Sequence, residues 1–406
     1  MKIPFLCYSF PYRPAFRSEV RAYHRLHRWA RGHEVELIAL RRSREEVQQA
    51  HGFSQLGVPY RAVLVDEWMR WTRVGMTLPT LRPASEAFFL SAPMRRAARC
   101  TVLARSIDSA VGYCASVGWR VENTERPAVI DVCDVASRRW FDYSAFKSWP
   151  LSLPYRRQGM CVARTERRLA RRFDAVTVAA HGERDALEQM GIVGCVERFP
   201  NGVDAEYFVP QAKDRCDPAT IAFVGRMDNF PTAQAVTRFC SEVWPALQGR
   251  IPRAKLRIVS AAPTRGVKNL SEHRAGEVTG AVADLRPNVR RSGLTLAPLA
   301  IARGARNTRL QAMAMGVPVV ASRMAAGGVD AVAGEHLRVA ERPEQYRDAI
   351  LRVLENSAER APLAATGRAR ALPHHAWAAS RKRLDLIIHR CLHRFAAQPR
   401  LHRHTP

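Results

Sequence analysis

The chain alternates short apolar runs with segments of helical periodicity, and that alternation narrows the fold class first. Residues 3–8 form an apolar run of strand length. From about Glu19 to Arg31, Val20, Tyr23, His24 and His27 recur on one side at helical spacing, and Gly32 closes the segment. Val35-Glu36-Leu37-Ile38-Ala39-Leu40 is a second strand, and Tyr60-Arg61-Ala62-Val63-Leu64-Val65 a third. Strand, helix, strand in this order predicts an α/β fold with a parallel, doubly wound sheet. Residues 129–135 and 173–180 add strands. A basic helix covers 156–172, its arginines read as a solvated face, and another runs from Gly182 to about Met190. Residues 66–100 set Met69, Trp71, Val74, Met76, Phe88, Phe89 and Leu90 among arginines. They read as a helical hairpin inside the domain; the alternative is a stretch that lies on a membrane or frames an acceptor site.

The turn cluster Phe199-Pro200-Asn201-Gly202-Val203-Asp204 precedes a boundary at about 205–218, and the pattern then restarts. Thr220 to Met227 is a strand that runs into Gly225-Arg226. A helix from about Thr232 to Leu247 carries Ala235, Val236, Phe239 and Val243, and Lys255 to Val259 is the next strand. Val278-Thr279-Gly280 is strand-like, and Asp284-Leu285-Arg286-Pro287 reads as a loop. The stretch from Thr295 to Ala321 is the most legible. Thr295-Leu296-Ala297 is closed by Pro298, Gly304 marks a turn, and Asn307 caps a helix with Leu310, Met313 and Ala314 on one face. Gly316 and Pro318 end that helix as the strand over 317–321 begins. Leu337-Arg338-Val339, a helix from about Glu344 to Leu354, and a final basic helix from about Trp377 to Cys391 follow. The tail to Pro406 is expected to be disordered.

The 406 residues suffice for two or three domains of roughly 100–200 residues each. The net charge of +27, mostly arginine, leaves three specific readings: nucleic acid, an anionic membrane face, or a phosphate-bearing substrate. A fourth is a general abundance of arginine. No zinc-finger spacing, RNP-type strand or basic-leucine heptad occurs, so nucleic-acid binding would rest on charge alone and is not expected. The nine cysteines are scattered without C-x-x-C, which suits reduced thiols in a cytosol; several, Cys133 among them, read as small buried hydrophobes. No signal sequence and no run of about 18 apolar residues is present, so a membrane role would be peripheral, at the inner face.

Ligands of doubly wound sheets bind beyond the carboxyl ends of the strands. In the second half those ends carry Gly225, Arg226, Ser260, Gly280 and the turn before Asn307. That turn leads into a helix N-terminus, which binds anions, and it brings Arg303, Arg306 and Arg309.

Taken in order, Pro-Asn-Gly-Val-Asp at 200–204, Phe-Val-Gly-Arg-Met at 223–227, Val-Thr-Gly at 278–280 and Ala-Pro-Leu…Arg-Gly…Gln-Ala-Met-Ala-Met-Gly-Val-Pro-Val-Val-Ala at 297–321 resemble the retaining GT-B glycosyltransferases of nucleotide-sugar family 4. The stretch from Asp131 to Trp140 and Pro11-Tyr12…Arg21-Ala22-Tyr23-His24 are similar to the exopolysaccharide-associated bacterial branch. The resemblance covers roughly residues 3–390. It implies two Rossmann-like domains facing a cleft: 1–205 on the acceptor side, 206–375 binding the nucleotide sugar, a helix over 376–395 packing back on the first domain, and the tail 396–406. It implies metal-independent, cofactor-free transfer from a UDP- or GDP-sugar to a lipid-linked or polysaccharide acceptor near an anionic membrane. Fixed positive charge would then stabilise the leaving diphosphate.

The resemblance makes Arg226 and Asp134 the catalytic candidates. It assigns donor contacts to Gly225, Arg226, Gly280, Arg303, Gly304, Asn307, Arg309 and Gln311, and acceptor-side contacts to Arg17 and Ser137. The chain departs from the pattern at several positions. Pro231 stands where the family has a lysine. Arg303 and Gln311 occupy the paired-glutamate positions, and Arg17 lies near the family's glycine. The catalytic-side histidine has no match in 100–120, where Tyr113 and Ser109 lie nearest. These departures open a second reading, a GT-B-shaped binding or assembly subunit that has lost catalysis.

Overall fold

The computed structural model describes residues 1–11, 19–41, 57–65, 67–77, 79–103, 107–118, 120–121, 124, 126–192, 194–211, 214–260, 262–272, 276–301 and 307–397. They divide into two compact units, Met1–Phe199 with the chain from Arg381 onward, and Pro200–Ser380.

The first unit is built on seven parallel strands: β1 (Lys2–Cys7), β2 (Glu34–Arg41), β3 (Tyr60–Leu64), β4 (Ala110–Tyr113), β5 (Ala128–Cys133), β6 (Ala175–Val178) and β7 (Val196–Arg198), in the order β3-β2-β1-β4-β5-β6-β7. The order reverses between β1 and β4, which makes that junction the switch point of the sheet. β1 and β5 are almost wholly buried, as a parallel sheet covered on both faces requires.

The Glu19–Trp29 helix does not bury the side its apolar and ring residues suggest. Its buried positions are Arg21, Ala22, Arg25, Leu26 and Trp29, whereas Val20, Tyr23, His24 and His27 are half-exposed. The cause is Asp131, a carboxylate in the middle of β5 that draws Arg21 and Arg25 inward. Arg21 Nε donates to Asp131 Oδ2 at 2.9 Å, and Arg25 Nη1 lies 2.5 Å from the same oxygen. Both guanidinium groups stack on the Phe199 ring, at 4.7 and 4.1 Å from its centroid.

Residues 66–100 hold helices at Glu67–Gly75, Ala84–Phe88 and, running on to Leu103, Ala92–Leu103. The basic helix starts earlier than its charges indicate, at Ser152, and ends at Arg172. It packs on the Ala136–Ala145 helix where Gly159 meets Phe141; a Cβ at 159 would lie 2.9 Å from the ring. Besides its charged face, it buries Gln158, Cys161, Val162, Thr165, Glu166 and Leu169.

The second unit repeats the plan with six parallel strands: β8 (Asp217–Val224), β9 (Lys255–Val259), β10 (Glu277–Val278), β11 (Ser292–Ala297), β12 (Val319–Ala321) and β13 (Arg338–Val339), in the order β10-β9-β8-β11-β12-β13. Its switch point lies between β8 and β11. The helix after β8 is shorter than its apolar spacing indicates: Phe230–Glu242 ends at Val243, and Trp244–Arg250 begins again with Pro245 in its first turn. The segment read as a loop at 284–287 starts a short helix, Arg286–Arg290, likewise opened by a proline.

A long helix, Ser357–His375, follows Pro343–Glu355, and the Trp377–Ala397 helix ends the described chain. Trp377 packs on Gly202, where an added Cβ would lie 2.4 Å from the indole. Farther along the same helix, Leu384, Ile387, Ile388 and Cys391 sit in the core of the first unit with Phe5, Leu26, Trp29 and Leu37. The tail from 398 lies outside the described residues.

Candidate functional site

In the second unit, the residues around the switch point come from the ends of β8 and β11. Phe223 pairs with Leu296, so Gly225 and Arg226 leave the sheet beside Pro298, which precedes the Asn307–Ala314 helix in the chain. Gly225 is required by packing: a Cβ there would lie 2.6 Å from Thr232 Cγ2, at the start of the next helix. Pro231 is buried in the first turn of that helix, where its missing N–H leaves no unmet donor. The Arg226 side chain is two-fifths exposed, and its Nε donates to Asp228 Oδ1 at 3.0 Å. Ser260, past the end of β9, is buried and accepts from the Met227 and Ala262 amides, both at 3.3 Å. Gly280 follows the edge strand β10 with φ of 69°; its backbone conformation, and no close neighbour, favours glycine there.

The Asn307–Ala314 helix carries two side-chain oxygens with unmet hydrogen-bonding capacity. Asn307 Oδ1 and Gln311 Oε1 are both buried and have no hydrogen-bond partner among the described residues. Four residues apart, in the first and second turns, they lie on the same face of the helix. A buried amide oxygen without a donor costs about 1–3 kcal/mol, so the pair is a standing demand for hydroxyl or N–H groups. Thr295 Oγ1 on β11 is in the same condition. Arg309 is completely buried and engaged within the fold, so it is no surface cation. Arg303, Gly304 and Arg306 lie outside the described residues.

In the first unit, the corresponding strand ends hold a different chemistry. Burial alone would raise the Asp131 carboxyl. The attraction of Arg21 and Arg25, with hydrogen bonds from Arg21 and Thr177, overcomes this and holds it at about 2. Burial in turn pushes Arg25 down to about 10. Cys114, directly after β4, and Cys133, the last residue of β5, both have left-handed backbone, at φ of 79° and 64°. For a residue with a Cβ this is strained, and such strain gathers at working sites. Cys133 is only half-buried, and its Sγ lies 3.4 Å from Asp131 Oδ2.

Asp134 follows directly and accepts from Arg139 Nη1 at 2.8 Å, which leaves it partly exposed as one half of an ion pair. Ser137 is buried; its hydroxyl donates to Glu166, a carboxylate of the Ser152–Arg172 helix. Its contacts are thus with the packing of two helices. Arg17 lies outside the described residues.

The sequence reading brought Gly225, Arg226, Asn307 and Gln311 to one switch point, and left Asp134 and Ser137 at the strand ends of the other unit. It passed over the Arg21–Arg25–Asp131 cluster. The available signal was an aspartate within the apolar run Ala128-Val129-Ile130-Asp131-Val132-Cys133, which a buried parallel strand tolerates only with cations beside it.

Residues 218–356 match the family model of group 1 glycosyl transferases. Two parallel sheets, each wound from a central strand in the same order, have solved counterparts of the same kind. The fold is GT-B. This GT-B chain is similar to sucrose-phosphate synthase from Thermosynechococcus elongatus, at 14% identity and a TM-score of 0.71 over 98% of this chain and 100% of that one. It is similar to Anabaena HepE, solved in complex with UDP-glucose, at 14% identity and a TM-score of 0.69 over 96% and 100% of the two chains. S. aureus TarM is 8% identical, with a TM-score of 0.69 over 95% of this chain and 98% of that one. No curated protein matches the chain by sequence.

Proposed function

We propose that the chain is a glycosyltransferase that takes a sugar from a UDP- or GDP-linked donor and passes it, with retention of configuration, to a lipid-linked or polysaccharide hydroxyl in the synthesis of an exopolysaccharide or envelope glycan. The observation that carries this reading is the pair of oxygens, Asn307 Oδ1 and Gln311 Oε1, that have no hydrogen-bond partner among the described residues, on the helix beyond β11. Ribose hydroxyls are donors of the kind these acceptors lack. The match of residues 218–356 to group 1 glycosyl transferases supports the class of reaction, and the UDP and UDP-glucose bound to Anabaena HepE support the class of donor.

In this reading the bond from the sugar to the diphosphate breaks and a bond to the acceptor hydroxyl forms. Arg226 and the N-terminus of the Asn307–Ala314 helix stabilise the leaving diphosphate, with Arg303 and Gly304 assigned to the same turn. No metal or other cofactor takes part. Gly225 and Gly280 shape the donor side. Arg309 acts from inside the fold, by holding the helix. Asp134, oriented by Arg139, and Arg17 serve the acceptor; Ser137 serves through its bond to Glu166, which fixes the helix after Asp134.

A thermal-shift panel of UDP, GDP and ADP tests the reading: UDP or GDP raises the melting temperature, and a chain that responds to none of them is not a nucleotide-sugar enzyme. Gln311→Glu replaces a neutral acceptor by a charged one, roughly twice as strong, so nucleotide binding tightens by roughly fivefold in calorimetry. Unchanged affinity in both Gln311→Glu and Gln311→Ala would remove Gln311 from the site. Pro231 in place of the family's lysine favours the binding-subunit reading. Nucleotide binding with neither donor hydrolysis nor transfer would decide for it.

A further inference from the structure

Exposed large apolar side chains are concentrated in one part of the first unit. Among the described residues, all but Met324, Val332 and Leu386 fall between Leu64 and Met160. The Glu67–Gly75 helix exposes Trp68 to 83% and Trp71 to 64%, together with Met69, and Met76 and Leu81 follow in the turn behind it. Trp149 and Leu151 stand out just before the Ser152–Arg172 helix.

The two stretches lie side by side. Arg157 Nη2 donates to the Thr77 carbonyl at 3.0 Å and also to that of Thr80. Gln158 Oε1 accepts from the Ala84 amide at 3.0 Å. Arg70 and Trp71 both pack on Phe88, at 4.9 and 5.5 Å. These polar contacts, part-buried or exposed, hold the two stretches together while Trp68 and Trp71 stay largely exposed.

The charge around these side chains is mostly positive. Along the exposed face of the Ser152–Arg172 helix, Leu153, Arg156, Met160, Arg164, Arg167 and Arg171 follow one another at three- and four-residue spacing. Arg82, Arg164 and Arg168 line a depression of about 440 Å³ beside Leu81, where Glu86 is the lone carboxylate and is already paired with Arg168. Arg82, Arg156, Arg164 and Arg171 pair with no carboxylate among the described residues.

We infer that this face docks on an anionic phospholipid bilayer, with Trp68, Trp71, Met76 and Trp149 entering the headgroup boundary and the arginine row meeting lipid phosphates. Tryptophan suits that boundary because its ring is apolar and its N–H is polar. Guanidinium groups match phosphate geometry, and a basic row with apolar side chains interspersed is the pattern of an interfacial helix. A protein partner would require a complementary acidic surface. A bilayer supplies both the negative field and the apolar layer at once. The inference does not rest on the nucleotide-sugar reading.

Co-sedimentation of the full chain with vesicles tests it. The chain is expected to pellet with equimolar phosphatidylcholine and phosphatidylglycerol, to stay in solution with phosphatidylcholine alone, and to be released progressively between about 0.1 and 1 M salt as charges are screened. The double variant Trp68→Ala, Trp71→Ala is expected to partition at least about tenfold more weakly. It should keep any UDP response of the parent and melt within a few degrees of it, since both side chains are largely exposed, although the edge contact of Trp71 with Phe88 is lost. Leu386→Ala, at an exposed apolar site elsewhere, should bind vesicles like the parent. Equal binding by the double variant, equal binding to neutral vesicles, or no binding to anionic ones would each overturn the inference. So would a dimer in gel filtration that the double variant dissolves, because the face would then belong to a second copy of the chain.

Discussion

A carboxylate in the middle of an apolar parallel strand needs cations beside it, and Asp131 has two. Arg21 and Arg25 lie four residues apart on one helix, so both reach the same carboxylate from one face. Arg21 Nη2 also donates to the Phe199 carbonyl at 2.7 Å, and Thr177 Oγ1 donates to Asp131 Oδ1 at 2.8 Å. Removing the negative charge would leave two buried guanidinium groups repelling each other. Asp131→Asn is therefore expected to destabilise the first unit by about 3–5 kcal/mol, read as a lower urea midpoint; a change under about 1 kcal/mol would show that the cluster is not a charge-compensated core. The cluster also marks the limit of hydrophobic patterning at this scale. Counting arginine as a surface residue turned the Glu19–Trp29 helix the wrong way round, because a pattern of side-chain types cannot register a counter-charge more than a hundred residues later. Gln311 was legible as a departure from a motif, but its unsatisfied oxygen emerges only from the packing around it.

Elements were legible where local signals agreed. From Thr295 to Ala321, a fully buried strand, a helix ended by a glycine with φ of 70° at 316 and a second buried strand are each specified by residues next to one another; Asn307, expected as the helix cap, is instead the first helical residue, and its Oδ1 accepts from no group among the described residues. The Ser357–His375 helix was not legible, although Asn356 caps it by accepting from the Ala358 and Glu359 amides. Its interior contains Pro362 and Pro373, and its buried residues are Leu363, Gly367, Ala371 and His375, with one large apolar side chain among them. Gly367 is there for close approach, since a Cβ would lie 2.7 Å from the His336 carbonyl oxygen. β4 escaped notice because four residues, one of them glycine, carry too little periodicity.

The Ala136–Ala145 helix has a comparable non-local dependence at its start. Val135 has no side chain that can cap, and two glutamates from other helices serve instead. Glu183 accepts from the Val135 amide at 2.6 Å, and Glu166 from the Ser137 amide at 3.3 Å and from the Ser137 hydroxyl. Burial pushes the Glu166 carboxyl up to about 7, against the pull of these hydrogen bonds. In the unfolded chain a glutamate titrates near 4.3. Between these values the folded protein holds a proton that the unfolded chain has lost, so stability falls as pH rises through this window. Glu166→Gln removes this titration and keeps an acceptor for the Ser137 amide. Melting temperatures taken from pH 4.5 to 8 should show the parent losing on the order of a few kcal/mol relative to the variant as pH rises. Parallel curves would show that Glu166 titrates normally.

At the scale of the whole molecule, the two sheets share one winding order from their central strands, and both orders follow from alternating strands and helices together with right-handed crossovers. What pattern alone does not specify is which unit each stretch of chain completes. The Trp377–Ala397 helix begins against Gly202 in the second unit, yet Leu384, Ile387, Ile388 and Cys391 are part of a core of the first. Trp29 Nε1 donates to Asp385 Oδ1 at 3.2 Å, and Arg390 pairs with Glu197 at 3.2 Å, so apolar and polar contacts agree. A chain that stops at Ser380 retains all thirteen strands of the described residues but uncovers the side of the first sheet that Phe5 and Leu37 occupy. Burying one leucine or isoleucine side chain stabilises by about 1.5–3 kcal/mol, so losing three forfeits roughly 5–9 kcal/mol, as much as the whole net stability of many domains. The chain ending at Ser380 is therefore expected to have a first unit that proteases digest under conditions where the full chain resists. A chain ending at Ala397 should melt like the full protein. Equal protease resistance and melting of all three chains would mean that the first sheet is complete without this helix.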